Sequence, residues 1–406
     1  ATVAAAAQKI IDRIDKEYGA VFAKSEVVLN GAKAPNGNRD SETNNGDLIT
    51  DAMVWKILQD KESLTVDADH VVAVTNGGGI RKAINPGDVT KKNINEVLPF
   101  GNTVVTIYIT GAELLEALEA STYCTPDAIG GFPQVSGINY TISTAVAYDA
   151  NAETYPASTY YGPKSINRVT INSINGKEFK ADDTYAVIPN DFCGGGGDTY
   201  YAFAAATAKF DTGIPLDEVV MEYITAELKG VIGKQYAAPQ GRILMNPFKD
   251  VKTSAWYGSY VIDLYNDGII NGTSATTYAP NDTLTWAAAL KLLLVSHGDL
   301  KAADATGADW SKNTIAKAAE LGLVAADLDG AKAISRLEFC QVAAKLNKLA
   351  ESKTESKFTD CTDGYVMALV DAKVISGMTE TTFEPAASLT RAQIAKILYQ
   401  LTLIEK

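Results

Sequence analysis

Four consecutive glycines, Gly194 to Gly197, separate Phe192 from Asp198 in the stretch IPNDFCGGGGDTYYAF. A second run, NGGGIR, sets Asn76 and Arg81 on either side of three more glycines. LPFGN carries Phe100, and NRDSETN carries Arg39. Glycine loops let backbone N–H groups approach phosphate, so a phosphate cradle is the first chemistry to test. Neither run leads into the G-K-[ST] of a P-loop, and neither shows the G-x-G-x-x-G of a dinucleotide-binding turn. Taken singly, Phe100 and Phe192 also suit a core, Asp198 a turn and Arg81 a solvated surface. The chain has only two histidines, His70 and His297. Histidine is the commonest metal ligand and general base. Two isolated copies cannot build a dinuclear metal centre, so each reads as an ordinary surface or packed residue. Cys124, Cys193, Cys340 and Cys361 are far apart and lack CxxC spacing, which argues against zinc and leaves their pairing open.

The elements around these residues alternate. Ala4 to Tyr18 has helical apolar spacing, with Ile10, Ile11 and Ile14 on one side. EVVLN follows as a short strand. NNGDLITDAMVWKILQD reads as a helix capped by Asn45. HVVAVTNGGGIR is an apolar strand entering a glycine turn. NTVVTIYI is a strand, and TGAELLEALEAS opens with a T-x-x-E capping box at Thr110 and Glu113. VSGINYTIS, INRVTINSI and TYAVIPN are further strands. Helices are expected over Thr199–Ala208 and Leu216–Lys229. The mixture up to about Met245 makes one α/β or α+β domain.

A length of 406 residues implies two or three domains, and 46% hydrophobic residues with 21% charged can bury real cores. The net charge of −13 lacks the basic stripe that nucleic-acid phosphates require. No apolar run is long enough to span a bilayer. ATVAAAAQKI has neither the basic start nor the apolar core of a signal peptide, so it resembles a mature or truncated start.

After Pro247 the pattern turns to short helices, and a repeat emerges. FKDV…TTYAPNDTLTWAAALKLLL from Phe248 matches FTDC…TTFEPAASLTRAQIAKIL from Phe358. A third copy of the helix, the GLV turn and the I-x-R-x-E start lies between them, at Ile334, Arg336 and Glu338. This third of the chain resembles the S-layer homology (SLH) family, whose repeats carry F-x-D, G-(I/V)-I-x-G, F-x-P and (I/L)-T-R-A-E. The resemblance implies an all-α-rich domain of three repeats, about 247–298, 299–350 and 351–406, with grooves that bind secondary cell-wall polysaccharide. A guanidinium grips an acidic sugar through its planar fork. The positions carried over are Arg336 and Arg391, with Gly272 and Gly377 supporting the turns. Trp286 replaces the arginine in the first copy, and Gln393 replaces the glutamate of TRAE. The lesser alternative is that each arginine braces a helix.

Read jointly, NRDSETNNGDLITDAM, TNGGGIR…LPFGNTVVTIYITGAEL and the opening stretch resemble the C-terminal domain of the 5′-nucleotidase and UDP-sugar hydrolase family. The similarity spans nearly all of residues 20 to 245. It implies a linking helix over 1–20 and a layered α-β-β-α domain over 21–246 that binds the nucleotide. Phe100 and Phe192 would sandwich the base, and stacking contributes about 1–3 kcal/mol per base. Asp198 would accept from the ribose hydroxyls, Asn76 and Arg81 would contact the base or phosphate side, and Arg39 is a further phosphate candidate. Ser41 stands where many members have a second arginine, and Cys193 stands in place of an aliphatic residue. In the family, hydrolysis belongs to a separate two-metal N-terminal domain whose residues this sequence does not show. No catalytic residue, metal or cofactor is therefore assigned to the chain, and no 5′-nucleotidase activity is expected of it.

The expected partners are an AMP-like nucleoside or nucleotide and cell-wall polysaccharide, at the outer surface or S-layer of a bacterium, with S-layer self-assembly as a further expectation. The alternative is a structural S-layer protein that uses the nucleotidase domain as a non-catalytic scaffold.

Overall fold

The computed structural model describes residues 2–404, which form two compact units divided between Met245 and Asn246. The first unit opens with helix α1 (Thr2–Tyr18); the side chains of Ile10 and Ile14 lie outside the described residues. Its central sheet has the order β11 (Ala208–Pro215), β4 (Thr103–Thr110), β10 (Thr184–Ile188), β2 (Val71–Asn76) and β5 (Pro133–Ser136). β10 runs parallel to β2, and the other pairings are antiparallel.

Strands buried on both faces must send alternate side chains into two cores. β2 does so: Val71 and Ala73 join one core while Val72 and Val74 join the other. The first core is closed by α2 (Asn44–Leu58), α3 (Lys91–Val97) and α7 (Leu216–Ala226). It also takes in the small sheet of β12 (Val231–Ile232), β1 (Val21–Ser25) and β3 (Gly87–Thr90). The second core is closed by α4 (Gly111–Ser121) and the sheet of β13 (Ile243–Asn246), β6 (Ile138–Ser143) and β9 (Val169–Ile174). A hairpin of β7 (Ala150–Thr154) and β8 (Tyr161–Pro163) lies beside α4. The unit is a mixed α/β domain.

Several local readings change. Thr43, not Asn45, caps α2 by accepting from the Gly46 N–H, while the Asn45 amide donates to the Lys82 carbonyl at 3.1 Å. The strand expected at EVVLN falls earlier, in β1, and Leu29 keeps only an isolated bridge to Ile84. The helix expected from Thr199 shrinks to α6 (Tyr201–Ala204), because the chain from Ala208 pairs with β4 instead. Thr110 and Glu113 form the expected capping box. All four cysteines are free thiols.

The second unit holds helices α8 (Gly258–Asn266), α9 (Trp286–His297), α10 (Trp310–Glu320), α11 (Arg336–Leu346), α12 (Gly364–Asp371) and α13 (Arg391–Thr402). They read as three pairs. Gly268, Gly322 and Lys373 follow α8, α10 and α12, each with positive φ. Thr285, Ser335 and Thr390 cap the second helix of each pair. The short segments before those caps close a ring of bridges: Thr285 with Ala333, Ser335 with Ser388, and Thr390 with Thr283. Each segment therefore pairs with the next, and the third returns to the first.

The F-x-D motif has a local purpose. Asp250 accepts from the Tyr278 and Ala279 N–H groups, and Asp360 accepts from those of Phe383 and Glu384. Each carboxylate thereby fixes the turn that precedes the Y-A-P or F-E-P proline.

Candidate nucleoside cleft and candidate glycan groove

Loops at one end of the central sheet bring the sequence candidates together. Arg39, Asn76, Phe100, Phe192 and Asp198 line one cleft of about 380 Å³, joined by Gly78, Gly79, Gly130 and Asn102. Phe100 is 61% exposed and Phe192 46% exposed, so both rings present free faces rather than core packing.

The glycine run is explained atom by atom. Asn190 caps the single turn of α5 (Asp191–Gly194) by accepting from the Cys193 N–H at 2.7 Å. Gly196 takes a φ of +88°. At Gly197 a Cβ would lie 2.5 Å from the Phe192 ring, so the bare backbone is what lets the ring lie down. Gly77 similarly abuts the Asn38 carbonyl, where a Cβ would come within 1.6 Å.

Asp198 itself has a positive φ of 51° and receives a hydrogen bond from Asn76 Nδ2 at 3.0 Å. Asn76 is oriented in turn by Asn190, whose Nδ2 donates to Asn76 Oδ1 at 3.1 Å. Burial pushes the Asp198 carboxyl up, opposed by the Asn76 hydrogen bond and by the positive charge of Arg39. The Arg39 Nε is buried without a protein partner.

Arg81 is placed differently. It does not line the cleft; its guanidinium lies 5.6 Å from the Phe100 ring centroid, and Nη1 donates to the Gly78 carbonyl at 3.1 Å. Asn102 and Gly130 were not singled out from the sequence. Asn102 had a signal in its own motif, one position after Gly101 in LPFGN.

Neither histidine lines the cleft. His70 stacks on Tyr185 and contacts Asp69, and His297 contacts Asp299. Among the described residues no group of three or more His, Cys, Asp or Glu could hold a metal ion. Among them also, no helix is long and apolar enough to cross a membrane.

In the second unit a groove of about 230 Å³ is lined by Arg336, Gly377, Trp256, Met378, Gln393 and Lys396, among others. Arg336 is 7% exposed; its Nη2 donates to the Ser376 carbonyl and its guanidinium stacks 4.7 Å from the Phe383 ring centroid. Arg391 repeats the arrangement, with Nη2 donating to the Asn271 carbonyl and the guanidinium 4.5 Å from Tyr278, but neither it nor Gly272 lines this groove. Gly272 and Gly377 are required by packing. A Cβ on either would strike a turn carbonyl within 2.3 Å and a phenylalanine ring within 2.7 Å.

The first unit is thus a mixed α/β domain that gathers two open aromatic rings, a carboxylate and an arginine at one sheet end. Residues 21–205 match the family model of the 5′-nucleotidase C-terminal domain, and residues 247–289 and 360–395 match the S-layer homology domain. The chain carries a 5′-nucleotidase C-terminal domain followed by S-layer homology sequence.

The trifunctional nucleotide phosphoesterase protein YfkN of Bacillus subtilis is 36% identical over 221 residues, covering 54% of this chain and 13% of that protein. The 5′-nucleotidase of Homo sapiens is 30% identical over 236 residues, covering 57% of this chain and 38% of that one. A crystal structure of the 5′-nucleotidase precursor from Thermus thermophilus shares 31% identity over 60% of this chain and 42% of its own, at a TM-score of 0.46. The chain spans less than half the length of each of these relatives.

Proposed function

We propose that the first unit recognises a nucleoside or nucleotide and that the second unit anchors it to polysaccharide at a bacterial cell surface. The observation that carries the first part is the single cleft in which Phe100, Phe192 and Asp198 meet. The two ring faces take the base, the Asp198 carboxylate accepts from the vicinal ribose hydroxyls, and Arg39 supplies the nearby positive charge for phosphate. Arg81 braces Phe100 from outside the cleft. We assign the unit recognition and leave hydrolysis to residues outside it.

For the second unit, the ring of bridges among residues 283–285, 333–335 and 388–390 supports three repeats, with the middle copy between the two matched segments. Arg336 and Trp256 line the groove that we assign to the glycan.

Calorimetry with adenosine and AMP tests the first assignment. Wild type should bind both, and Phe192→Ala, with its largely exposed ring, should weaken adenosine by about tenfold, the loss of one stacking face. No heat from either ligand would favour a scaffold role. Cell-wall sacculi with and without their polysaccharide test the second assignment; equal retention on both would remove it.

A further inference from the structure

We propose that Asp191 is the positioning residue that holds the two aromatic rings of the cleft as one clamp. This rests on reading the cleft as a nucleoside site. Phe100 and Phe192 come from different segments, and although Arg81 lies against one ring and Gly197 under the other, neither ring packs into a core that would fix the distance between them. Their mutual spacing must come from the backbone that joins the two segments.

Asp191 directly precedes Phe192, and its Oδ1 accepts from Asn102 Nδ2 at 2.7 Å and from the Thr103 N–H at 3.3 Å. Asn102 lies two residues after Phe100 and lines the cleft beside it. One carboxylate oxygen therefore joins the Phe100 loop to the turn that carries Phe192.

Backbone pairing cannot do this alone. The bridge between β4 and the end of β10 reaches Val104 with Asn190, short of the loop. On its other side the Asn102 carbonyl accepts from the Leu216 N–H at 2.8 Å. The loop is thus held at Asn102, and Asp191 supplies the hold on the clamp side. A carboxylate accepting two N–H donors is a charge-assisted contact, stronger than a neutral pair. The neighbouring Asn190 fixes the same turn to β2 through Thr75 Oγ1 and Asn76 Oδ1, both at 3.1 Å. Asp191 and Asn190 together make the turn rigid and tie it in two directions.

The test is a double-mutant cycle on the full chain, with adenosine as the probe in calorimetry. Asp191→Ala should weaken adenosine by about tenfold, a typical cost for a lost charge-assisted hydrogen bond. In a Phe100→Ala background the same change should cost less than about twofold, because the group acts through that ring. Asp191→Asn keeps an acceptor oxygen and should restore most of the affinity.

Amide hydrogen exchange without ligand gives the second readout. The Thr103 amide, whose N–H donates to Asp191, should exchange faster in Asp191→Ala and recover in Asp191→Asn, while the core strands keep wild-type protection. An equal loss in both backgrounds, or unchanged exchange at Thr103, would overturn the tether while leaving the nucleoside reading intact. Failure of wild type to bind adenosine would sink the nucleoside reading, and the proposed clamp with it, whatever the exchange shows.

Discussion

In the first unit, the buried ionic cluster beside the segment leaving the unit and the residues that line the cleft are different sets. Glu42, Asp47, Asp51 and Arg242 form an ionic cluster against the segment leaving the unit: Glu42 accepts from the Gln240 and Ile243 N–H groups, and Arg242 pairs with Asp51 at 2.8 Å. None of these four lines the cleft. In the second unit one residue serves both ends. Arg336 is buried, braces the Ser376 carbonyl, stacks on Phe383 and also lines the groove. The exposed rings proposed to take the base, Phe100 and Phe192, can therefore be changed without touching that cluster. In the second unit, the groove proposed for the glycan and the fold share the same guanidinium.

The sharpest way to break this comparison is Arg336→Ala. It removes a buried guanidinium, its hydrogen bond and its cation–π contact at once. We expect a loss of about 3 kcal/mol in the unfolding free energy of the second unit, read by chemical denaturation, together with lost retention on sacculi. Lost retention with an unchanged midpoint would show that the arginine is held for the glycan and not for the fold.

The ionic cluster gives the corresponding test in the first unit. Asp47 is fully buried, and burial, with the adjacent Glu42 charge second, pushes its carboxyl up to about 9 against the pull of Arg242. Between the ordinary carboxylate range and that value the unfolded chain is ionised while the folded one keeps its proton. Stability must then fall as pH rises through this window. From pH 7 to 9 wild type should lose on the order of 1–2 kcal/mol, and Asp47→Asn, which has no proton to lose, should flatten the slope. Adenosine affinity of the variant at pH 7 should match wild type. A change in that affinity would show that the two sets of residues in the first unit are coupled.

How much of this was legible in the sequence differs between the units for a physical reason. Taken singly the cleft residues suited a core, a turn or the surface, and it was the joint resemblance of their glycine-punctuated loops to a known family that named Phe100, Phe192, Asp198, Asn76 and Arg39. The place of Arg81 could not be read that way, because whether a long side chain enters a cleft or backs one of its walls depends on rotamers. Strand β11 was hidden because AAATAKF has helical composition, and only its pairing with β4 decides the matter.

In the second unit the departures proved to be paired. The middle helix pair has a short turn, from Gly322 to Arg336, where the other pairs run from Gly268 to Trp286 and from Lys373 to Arg391. Arg336 and Arg391 each reach the long turn of the next helix pair in the ring. Trp286 meets the short one, its backbone N–H donating to the Lys332 carbonyl as those of Arg336 and Arg391 donate to Ala387 and Asp282. The lost arginine and the lost turn belong to the same junction, a relation visible only once the ring closes.

The smallest effect separates two adjacent reasons for the glycine run. Gly197 is bare because the Phe192 ring occupies the space a Cβ would need. Gly195 has an ordinary φ of −85°, and a Cβ there would approach only the Asp191 and Phe192 carbonyls, at 3.2 and 3.5 Å. Gly197→Ala should therefore displace the ring and weaken adenosine by about tenfold, an overpacking cost felt by the ligand rather than by the fold. Gly195→Ala should leave both affinity and unfolding midpoint within about 0.5 kcal/mol of wild type, since a slightly tight Cβ is offset by the smaller entropy of the unfolded chain. Equal losses at the two positions would mean that the run serves a backbone approach to the ligand along its whole length, and that ring clearance at Gly197 is not its purpose.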